Sequence, residues 1–324
     1  MSDSSSFFAL DPDLIMHTAE AAGFVPTGEF TQLNSYENRV FDLRLETPEP
    51  ARLIAKFYRP GRWSPEAIQE EHDFLLDLRR EGLPVVAPRI LKNQKTLLQT
   101  NDMFVAFFDK IYGRMPDEFL TGDLHHVGQL LARLHNVGAQ KRFRHRPRID
   151  ENPVNVPETL EEILSWVSPE VRGRYAIAGE ALVEALAQDL DPNSFQRIHG
   201  DCHRGNLLRD KENFYLVDFD DTLMGPVVQD FWMLFSSDES QGLNQDEQDE
   251  LITGYEELRQ FPHEQLKLIP LLRGLRILNY AAWIARRWSD PSFPKLFPEF
   301  NTYRYWAEET EALERIVWGL RQDQ

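Results

Sequence analysis

Two short stretches carry most of the chemistry in this 324-residue chain. The first is His199-Gly200-Asp201-Cys202-His203-Arg204-Gly205-Asn206. The second, after a strand-like interval, is Val217-Asp218-Phe219-Asp220-Asp221. Together they read H-x-D-x-x-x-x-N and then D-F-x, the spacing of a loop that transfers phosphoryl groups and of its metal-binding partner. That chemistry needs a carboxylate to orient an attacking hydroxyl and accept its proton. It also needs hard oxygen ligands for the Mg2+ ions that bridge nucleotide phosphates. Asp201 suits the first role. Asn206 and Asp218 suit the second, and Asp218 is counted with Asp201 among the catalytic groups. A tight turn capped by Asp side chains would explain a lone D-x-x-x-x-N. It does not explain loop, strand and acidic cluster in that order. His199 is read as bracing the loop and Cys202 as a small buried filler. His203 has no Cys or His partner at metal-ligand spacing.

A second cluster lies upstream. Arg52–Tyr58 places Lys56 inside an apolar strand, where an unpaired ammonium is costly. The helix predicted after Ser64 offers a partner. Glu71, Phe74, Leu75 and Leu78 stand at i, i+3, i+4 and i+7, so Glu71 lies on the inward stripe, with Glu70 one residue off it as second choice. Such a pair would hold the lysine at the α- and β-phosphates of a nucleotide. The alternative is an edge-strand lysine that snorkels to water. No G-x-G-x-x-G precedes Lys56. Leu33-Asn34-Ser35-Tyr36-Glu37-Asn38-Arg39-Val40 stands in its place, and Ser, Asn and backbone N–H groups in a turn can reach phosphate without glycines. No A-P-E follows Asp218, and the interval to Asp230 is short. Asp230 stands before the apolar run Phe231–Leu234 and can cap a helix start.

The elements that must carry these groups change character along the chain. Leu33–Leu45 and Arg52–Tyr58 are strand-like, with Pro48-Glu49-Pro50 breaking between them. Ser64-Pro65-Glu66 starts a helix that runs to about Arg80, and Met103–Phe108 reads as a buried strand. From about Leu124 the reading is mainly helical: Val127, Leu130, Leu131 and Leu134 form one buried stripe, and Glu158–Val167 and Arg174–Leu190 follow. Phe195–Ile198 and Phe214–Val217 interrupt as strands, and helices return from Asp230 to Val317. A mixed lobe therefore precedes a helical one, with the boundary near Asp109–Gly113 and expected domains at 1–109 and 110–324.

Composition narrows the partners. With 35 Lys+Arg against 53 Asp+Glu the net charge is −18, the wrong sign for a protein that neutralises nucleic-acid phosphates. One cysteine excludes an intramolecular disulfide framework. No apolar run approaches the roughly 18 residues of a membrane span, and Met1–Ser6 has no basic or apolar signal region. A cytoplasmic monomer is expected, without nucleic-acid or membrane partners.

These stretches resemble the aminoglycoside phosphotransferase and choline kinase-like superfamily, and within it the bacterial stress response kinases, which are Ser/Thr protein kinases. The matching residues are LNSYENRV (Leu33–Val40), KFYRP with Trp63 (Lys56–Pro60), Glu70-Glu71-His72, His145-Arg146-Pro147, HGDCHRGN (His199–Asn206), Val217–Asp221, Gly225–Leu234 and the tail Ala282–Pro294. The resemblance thus covers nearly the whole chain. It implies an α+β, two-lobed protein-kinase-like fold: a mixed N-terminal lobe with an antiparallel sheet that binds ATP, and a mainly helical C-terminal lobe for catalysis and substrate. It implies Asp201 as proton acceptor, Asn206 and Asp218 as Mg2+ ligands, and Ser35 in the loop over the phosphates. For Asp230 the resemblance to kinase-like folds implies, instead of a cap, a brace on the backbone near His199 and Asp201, and the short interval favours the brace. Lys56, paired with Glu71, would meet the α- and β-phosphates, and the adenine would sit against Phe107–Lys110, with Phe108 among the nucleotide contacts. The implied activity is transfer of the γ-phosphate of ATP to a Ser or Thr hydroxyl of a protein substrate, by a phosphoprotein of the stress response. Asp220, at the position of the D-F-G glycine, agrees with that branch; Arg204 departs from it, where a small residue is expected. Two other readings compete. One is a small-molecule kinase of the aminoglycoside, choline or homoserine type. The other is a nucleotide-binding pseudokinase, against which stands the presence of Lys56, Asp201, Asn206 and Asp218 together.

Overall fold

Alternation of side chains along Arg52–Phe57 sets up the sheet that carries Lys56. The structure, a computed structural model, describes residues 7, 10–151, 155–211, 213–235, 237–238 and 242–322. The main elements begin with α1 (Pro12–Ala21), β1 (Pro26–Leu33), β2 (Arg39–Leu45), β3 (Arg52–Phe57), α2 (Pro65–Arg80), β4 (Leu98–Thr100) and β5 (Met103–Asp109). Then come α3 (Asp123–Gly138), α4 (Val156–Leu164), α5 (Arg172–Asp189), β6 (Gln196–Ile198), β7 (Leu207–Asp210), β8 (Asn213–Leu216) and β9 (Leu223–Gly225). The chain closes with α6 (Gln229–Trp232), α7 (Gln245–Glu256), α8 (Ile269–Arg286) and α9 (Tyr303–Gln322). Two compact units result: one holds the chain up to Arg146 with Asp201–Thr222 and Leu234–Gln260, the other Pro147–Gly200, Leu223–Met233 and the chain from Phe261 on.

In the first unit five antiparallel strands stand in the order β1-β2-β3-β5-β4. The register sets Lys56 opposite Val40 on β2 and Ala106 on β5. Successive strand residues face opposite sides, so Leu53, Ala55 and Phe57 enter a core with Phe41, Leu43, Val105, Phe107, Ile15 and Ala19. Lys56 lies on the other face. Helix α2 is started by Ser64, whose Oγ accepts from Ala67 N at 3.2 Å, with Pro65 at its first position. Its stripe of Ile68, Glu71, Phe74, Leu75 and Leu78 is buried, as the 3.6-residue period requires. Helices α3 and α7 touch backbone to backbone, because a Cβ added at Gly128 would stand 2.1 Å from Leu251 O, and one at Gly254 2.0 Å from His125 O. Hairpin β7–β8 completes the unit. The second unit packs α4, α5, α8 and α9 together with the short ladder β6–β9.

Three expectations change. Leu33–Leu45 is not one strand: it spans the end of β1, a turn and β2. β1 itself escaped notice because it is an edge strand, exposed at most positions, and so lacks the apolar alternation that marks a half-buried strand. The segment after Asp230, expected to be helical, opens with the single turn α6 and the two-residue strands Ser237–Asp238 and Gly242–Leu243 before α7. The rest agrees in kind, with a sheet-rich N-terminal part and a helical C-terminal part.

Candidate active site

The site is built around Lys56, whose residue is only 8% exposed. Its Nζ lies 2.8 Å from Asp220 Oδ1, 3.5 Å from Glu71 Oε1 and 3.9 Å from Asp218 Oδ1. The Tyr58 ring centroid is 4.6 Å away. Burial alone would lower the lysine pKa; Asp220 and Glu71 outweigh it and hold the ammonium well above its ordinary value. Glu71 is fixed from behind. Arg146 Nη2 lies 2.5 Å from its Oε2, and Tyr58 donates to Oε1 at 3.3 Å. Tyr58 Oη stands 2.9 Å from His72 Nε2, and His72 Nδ1 stands 2.8 Å from Thr96 Oγ1. If Tyr58 gives its proton to Glu71, its oxygen accepts from His72 Nε2–H and His72 Nδ1 accepts from Thr96. Burial, with Lys56 and Arg146 nearby, pushes the His72 pKa down to about 3, so the ring is neutral. Burial and Glu71 raise the Tyr58 phenol well above its ordinary value.

Glu70 has a separate task. Its carboxylate accepts from the backbone N–H groups of Arg144, His145 and Arg146 at 2.7–2.9 Å. It thereby sets the stretch from which Arg146 enters the core. Arg146 is wholly enclosed, donating to Ala67 O at 2.9 Å and Asp220 O at 2.7 Å besides Glu71. Of the two acids considered for Lys56, the structure places Glu71 beside it.

Asp220 is shared between cations. Arg62 Nη1 binds its Oδ2, and Arg62 Nη2 lies 2.6 Å from Asp221 Oδ1. Burial would raise the Asp220 pKa; Arg62, Lys56 and Arg146 together hold it far below the ordinary carboxylate range. Trp63 backs both arginines, 5.3 Å from the Arg62 guanidinium carbon and 4.5 Å from that of Arg146. Asp218 begins this turn with φ +59°, a left-handed conformation that a non-glycine residue adopts at some cost and that aims its carboxylate. Withdrawal from water on its inner side, with Asp220, Asp221 and Glu71 close by, raises the Asp218 carboxyl against the pull of Lys56.

The turn before β2 has no glycine; side chains hold it instead. Ser35 Oγ accepts from Asn38 N at 3.2 Å, and Asn38 Oδ1 accepts from Arg59 N at 3.2 Å. The Arg59 side chain donates to Glu37 O at 3.0 Å and Tyr36 O at 3.1 Å. Glu37 Oε1 in turn lies 3.5 Å from Arg62 Nε. Ser35 therefore connects to the Lys56 cluster through Glu37 and Arg62.

Asp201 and Asn206 meet in their own loop. Asn206 Nδ2 donates to Asp201 O at 2.9 Å, with Asp201 Oδ2 at 3.4 Å. Gly205 N donates to His203 Nδ1 at 2.9 Å, which assigns the proton of the neutral ring to Nε2. That nitrogen lies 3.4 Å from Asp201 Oδ2. His203, dismissed as a metal ligand from spacing, is thus a loop-shaping residue beside Asp201. In the second unit Asp230, fully buried, does not cap its own turn. Its Oδ2 accepts from His199 N and its Oδ1 from Gly200 N, both at 2.8 Å. Gly200 has φ +87°, a conformation that suits glycine, and it immediately precedes Asp201 in the chain. The brace is the arrangement adopted.

Of the residues nominated from sequence, Lys56, Glu71 and Asp218 come together, Asp201 and Asn206 come together, and Ser35 joins through Glu37 and Arg62. Phe108 borders the cluster through a ring contact. It pairs with Ile54 inside the sheet and sets its ring 6.2 Å from His72. Sequence reasoning missed Arg62, Arg146, Asp220, Tyr58 and His72 as members of the cluster. Lone polar residues in an apolar setting were the available signal. Their partners, up to 159 positions away, were not readable. Among the described residues no group of three or more His, Cys, Asp or Glu side chains forms a ready metal cage. Mg2+ is held by one or two protein oxygens plus phosphates and water. The Asn206 amide and the Asp218 carboxylate are hard oxygen donors of that kind.

Residues 29–265 match the model of the phosphotransferase enzyme family. The chain belongs to that family and is a kinase of its aminoglycoside phosphotransferase superfamily. It is 38% identical over 308 residues, 94% of this chain and 92% of the relative, to stress response kinase A of Escherichia coli K12. It is 36% identical over 314 residues, 96% of this chain and 94% of the relative, to serine/threonine protein kinase RdoA of Salmonella typhimurium. Among solved structures, amicoumacin kinase hAmiN in complex with AMP-PNP, Ca2+ and Ami covers 97% of this chain and 96% of its own, with TM-score 0.74 and 18% identity. A microcompartment-associated aminopropanol kinase covers 94% and 95%, with TM-score 0.69 and 19% identity. At those identities the two structures establish the kinase-like fold. No helix among the described residues is long and apolar enough to cross a membrane.

Proposed function

We propose that this chain is an ATP- and Mg2+-dependent Ser/Thr protein kinase of the stress response, acting in the cytoplasm as a monomer. The observation that carries the reading is the buried Lys56–Glu71 pair, at 3.5 Å, with Asp218 3.9 Å from the same ammonium. Lys56, Arg62 and Arg146 face Glu71, Asp218, Asp220 and Asp221, so the cluster holds one negative charge in excess. A divalent cation at Asp218 reverses that sign, as a polyphosphate requires. Asn206 and Asp218 are the residues that would hold Mg2+, which supplies charge neutralisation at the phosphates when bound. Lys56 would bind the α- and β-phosphates. Ser35, whose oxygen already accepts from Asn38, keeps its hydroxyl proton to donate to phosphate. The backbone around Phe108 would meet the adenine. Asp201 orients the acceptor hydroxyl and takes its proton as that oxygen bonds to the γ-phosphorus and the bond to the bridging oxygen of ADP breaks. By function we divide the chain into an ATP-binding part, 1–109, and a catalytic and substrate part, 110–324. Support for a protein acceptor comes from the relatives at 36–38% identity, one of them named a serine/threonine protein kinase.

The test is labelled ATP with Mg2+, offered a general protein acceptor beside choline and an aminoglycoside. Label on Ser or Thr of the protein is expected. Label on the small molecules alone would replace this reading with a small-molecule kinase, and absence of nucleotide binding would replace it with an interaction module.

A further inference from the structure

Asp220 divides its two oxygens between two cations. Oδ1 lies 2.8 Å from Lys56 Nζ, closer than Glu71 at 3.5 Å, and Oδ2 binds Arg62 Nη1. The residue is 3% exposed, so neither contact is a surface pairing. Arg62 also reaches Asp221 Oδ1 at 2.6 Å and stands 3.5 Å from Glu37 Oε1 in the turn that holds Ser35. The phosphotransfer roles assigned above use neither Asp220 nor Arg62: Lys56 has Glu71 as its lasting partner, and Asp218 carries the metal role.

We propose that Asp220 stands in for the nucleotide phosphates, holding Lys56 while the site is empty and giving it up when they arrive, with Arg62 keeping the released carboxylate paired and passing the exchange through Glu37 to the Ser35 turn. Asp220 and Arg62 are then positioning residues for nucleotide binding. A buried carboxylate that lost its cation would oppose the exchange strongly; Arg62 removes that penalty. An incoming phosphate meets a lysine already charged and already aimed. The inference rests on the nucleotide-binding reading of Lys56.

ADP binding by the full-length protein tests it, measured by calorimetry without metal and with Mg2+, beside thermal unfolding. Asp220→Asn should tighten ADP severalfold, because a competitor and a repelling charge are both removed. Arg62→Gln should weaken ADP about tenfold, the scale of one charge-assisted hydrogen bond. In the Asp220→Asn background the same Arg62→Gln change should cost roughly twofold or less, since the carboxylate that must give up Lys56 is no longer there to strand. A merely structural pair predicts weaker binding in every variant, and that result overturns the proposal. Equal losses from Arg62→Gln in both backgrounds overturn it too. If Asp220→Asn loses its cooperative transition, Asp220→Gly, the residue of the D-F-G triplet, replaces it with the same expected signs. A wild-type chain that fails to bind ADP overturns both this inference and the nucleotide reading. A wild type that binds, with variants lacking these signs, overturns the exchange alone.

Discussion

Asp201 and Asp218 are both acids of the proposed centre, but their neighbours differ, and so do the expected consequences of replacing them. Asp201 is contacted by the Asn206 amide and faces His203. Asp201→Asn should keep the fold and nucleotide binding while losing transfer by about 10²–10⁴-fold, because an amide cannot accept the hydroxyl proton. Single-turnover transfer from labelled ATP, beside calorimetry, checks both halves. Asp218→Ala should instead weaken Mg2+-dependent nucleotide binding more than Asp201→Asn does, as titrations with and without the metal will show. His72 supplies a prediction about acid. Its folded-state pKa of about 3 lies below the ordinary 6.5, so the unfolded chain takes up the proton first. The contribution to stability is therefore complete above pH 6.5 and is lost progressively as pH falls toward 3. One proton corresponds to about 1.4 kcal/mol per pH unit. Between pH 6.5 and 5 the unfolding free energy of His72→Gln should fall less steeply than that of the wild type by about that slope.

At the scale of elements, the pairing of β3 with α2 was legible because two periods cross there. Strand alternation turned Lys56 away from the Phe57 side, the helical period put Glu71 on the buried stripe, and Ser64-Pro65 fixed where that helix begins. Arg62 and Arg146 were not legible in the same way. Each completes its contacts with residues from distant segments, and no local period encodes such a meeting. Phe108 shows what an apolar run can and cannot say. The run identified a strand correctly, but hydrophobicity alone does not say that the ring meets His72. The β3–α2 pair should behave as a unit: Lys56→Ala and Glu71→Ala should each cut turnover strongly, with a clear coupling in the double-mutant cycle. Asp230 joins α6 to the backbone of His199 and Gly200 through both carboxylate oxygens. Asp230→Asn keeps one acceptor and sets an amide N–H against the other donor, so turnover should drop more than tenfold on the scale of one lost charged hydrogen bond, while far-UV circular dichroism is retained. The contact of α3 with α7 has no slack. A methyl at Gly128 would meet Leu251 O at 2.1 Å, so Gly128→Ala should cost about 3 kcal/mol in denaturant unfolding despite alanine's better helix propensity.

For the molecule as a whole, the net charge of −18 argues against nucleic acid, but it said nothing of the buried ion cluster at the site, since a sum over the chain does not say which charges meet. The first compact unit, which contains Ser35, Lys56, Glu71, Phe108, Asp201, Asn206 and Asp218, is assembled from three separate stretches of chain. This bears on the order in which a ribosome delivers the parts. Arg62 and Asp220 are 158 positions apart, an interval of roughly 10–30 s at typical translation rates. For that time the growing chain carries Lys56, Arg62 and later Arg146 without the acids of the 218–221 turn. Glu71 and Glu37 are then the acids present to face them. The long separation also makes closure an entropically late event in refolding. A nascent chain halted within the 147–200 stretch therefore holds Lys56, Arg62 and Arg146 without the acids of the 218–221 turn that meet them in the folded protein.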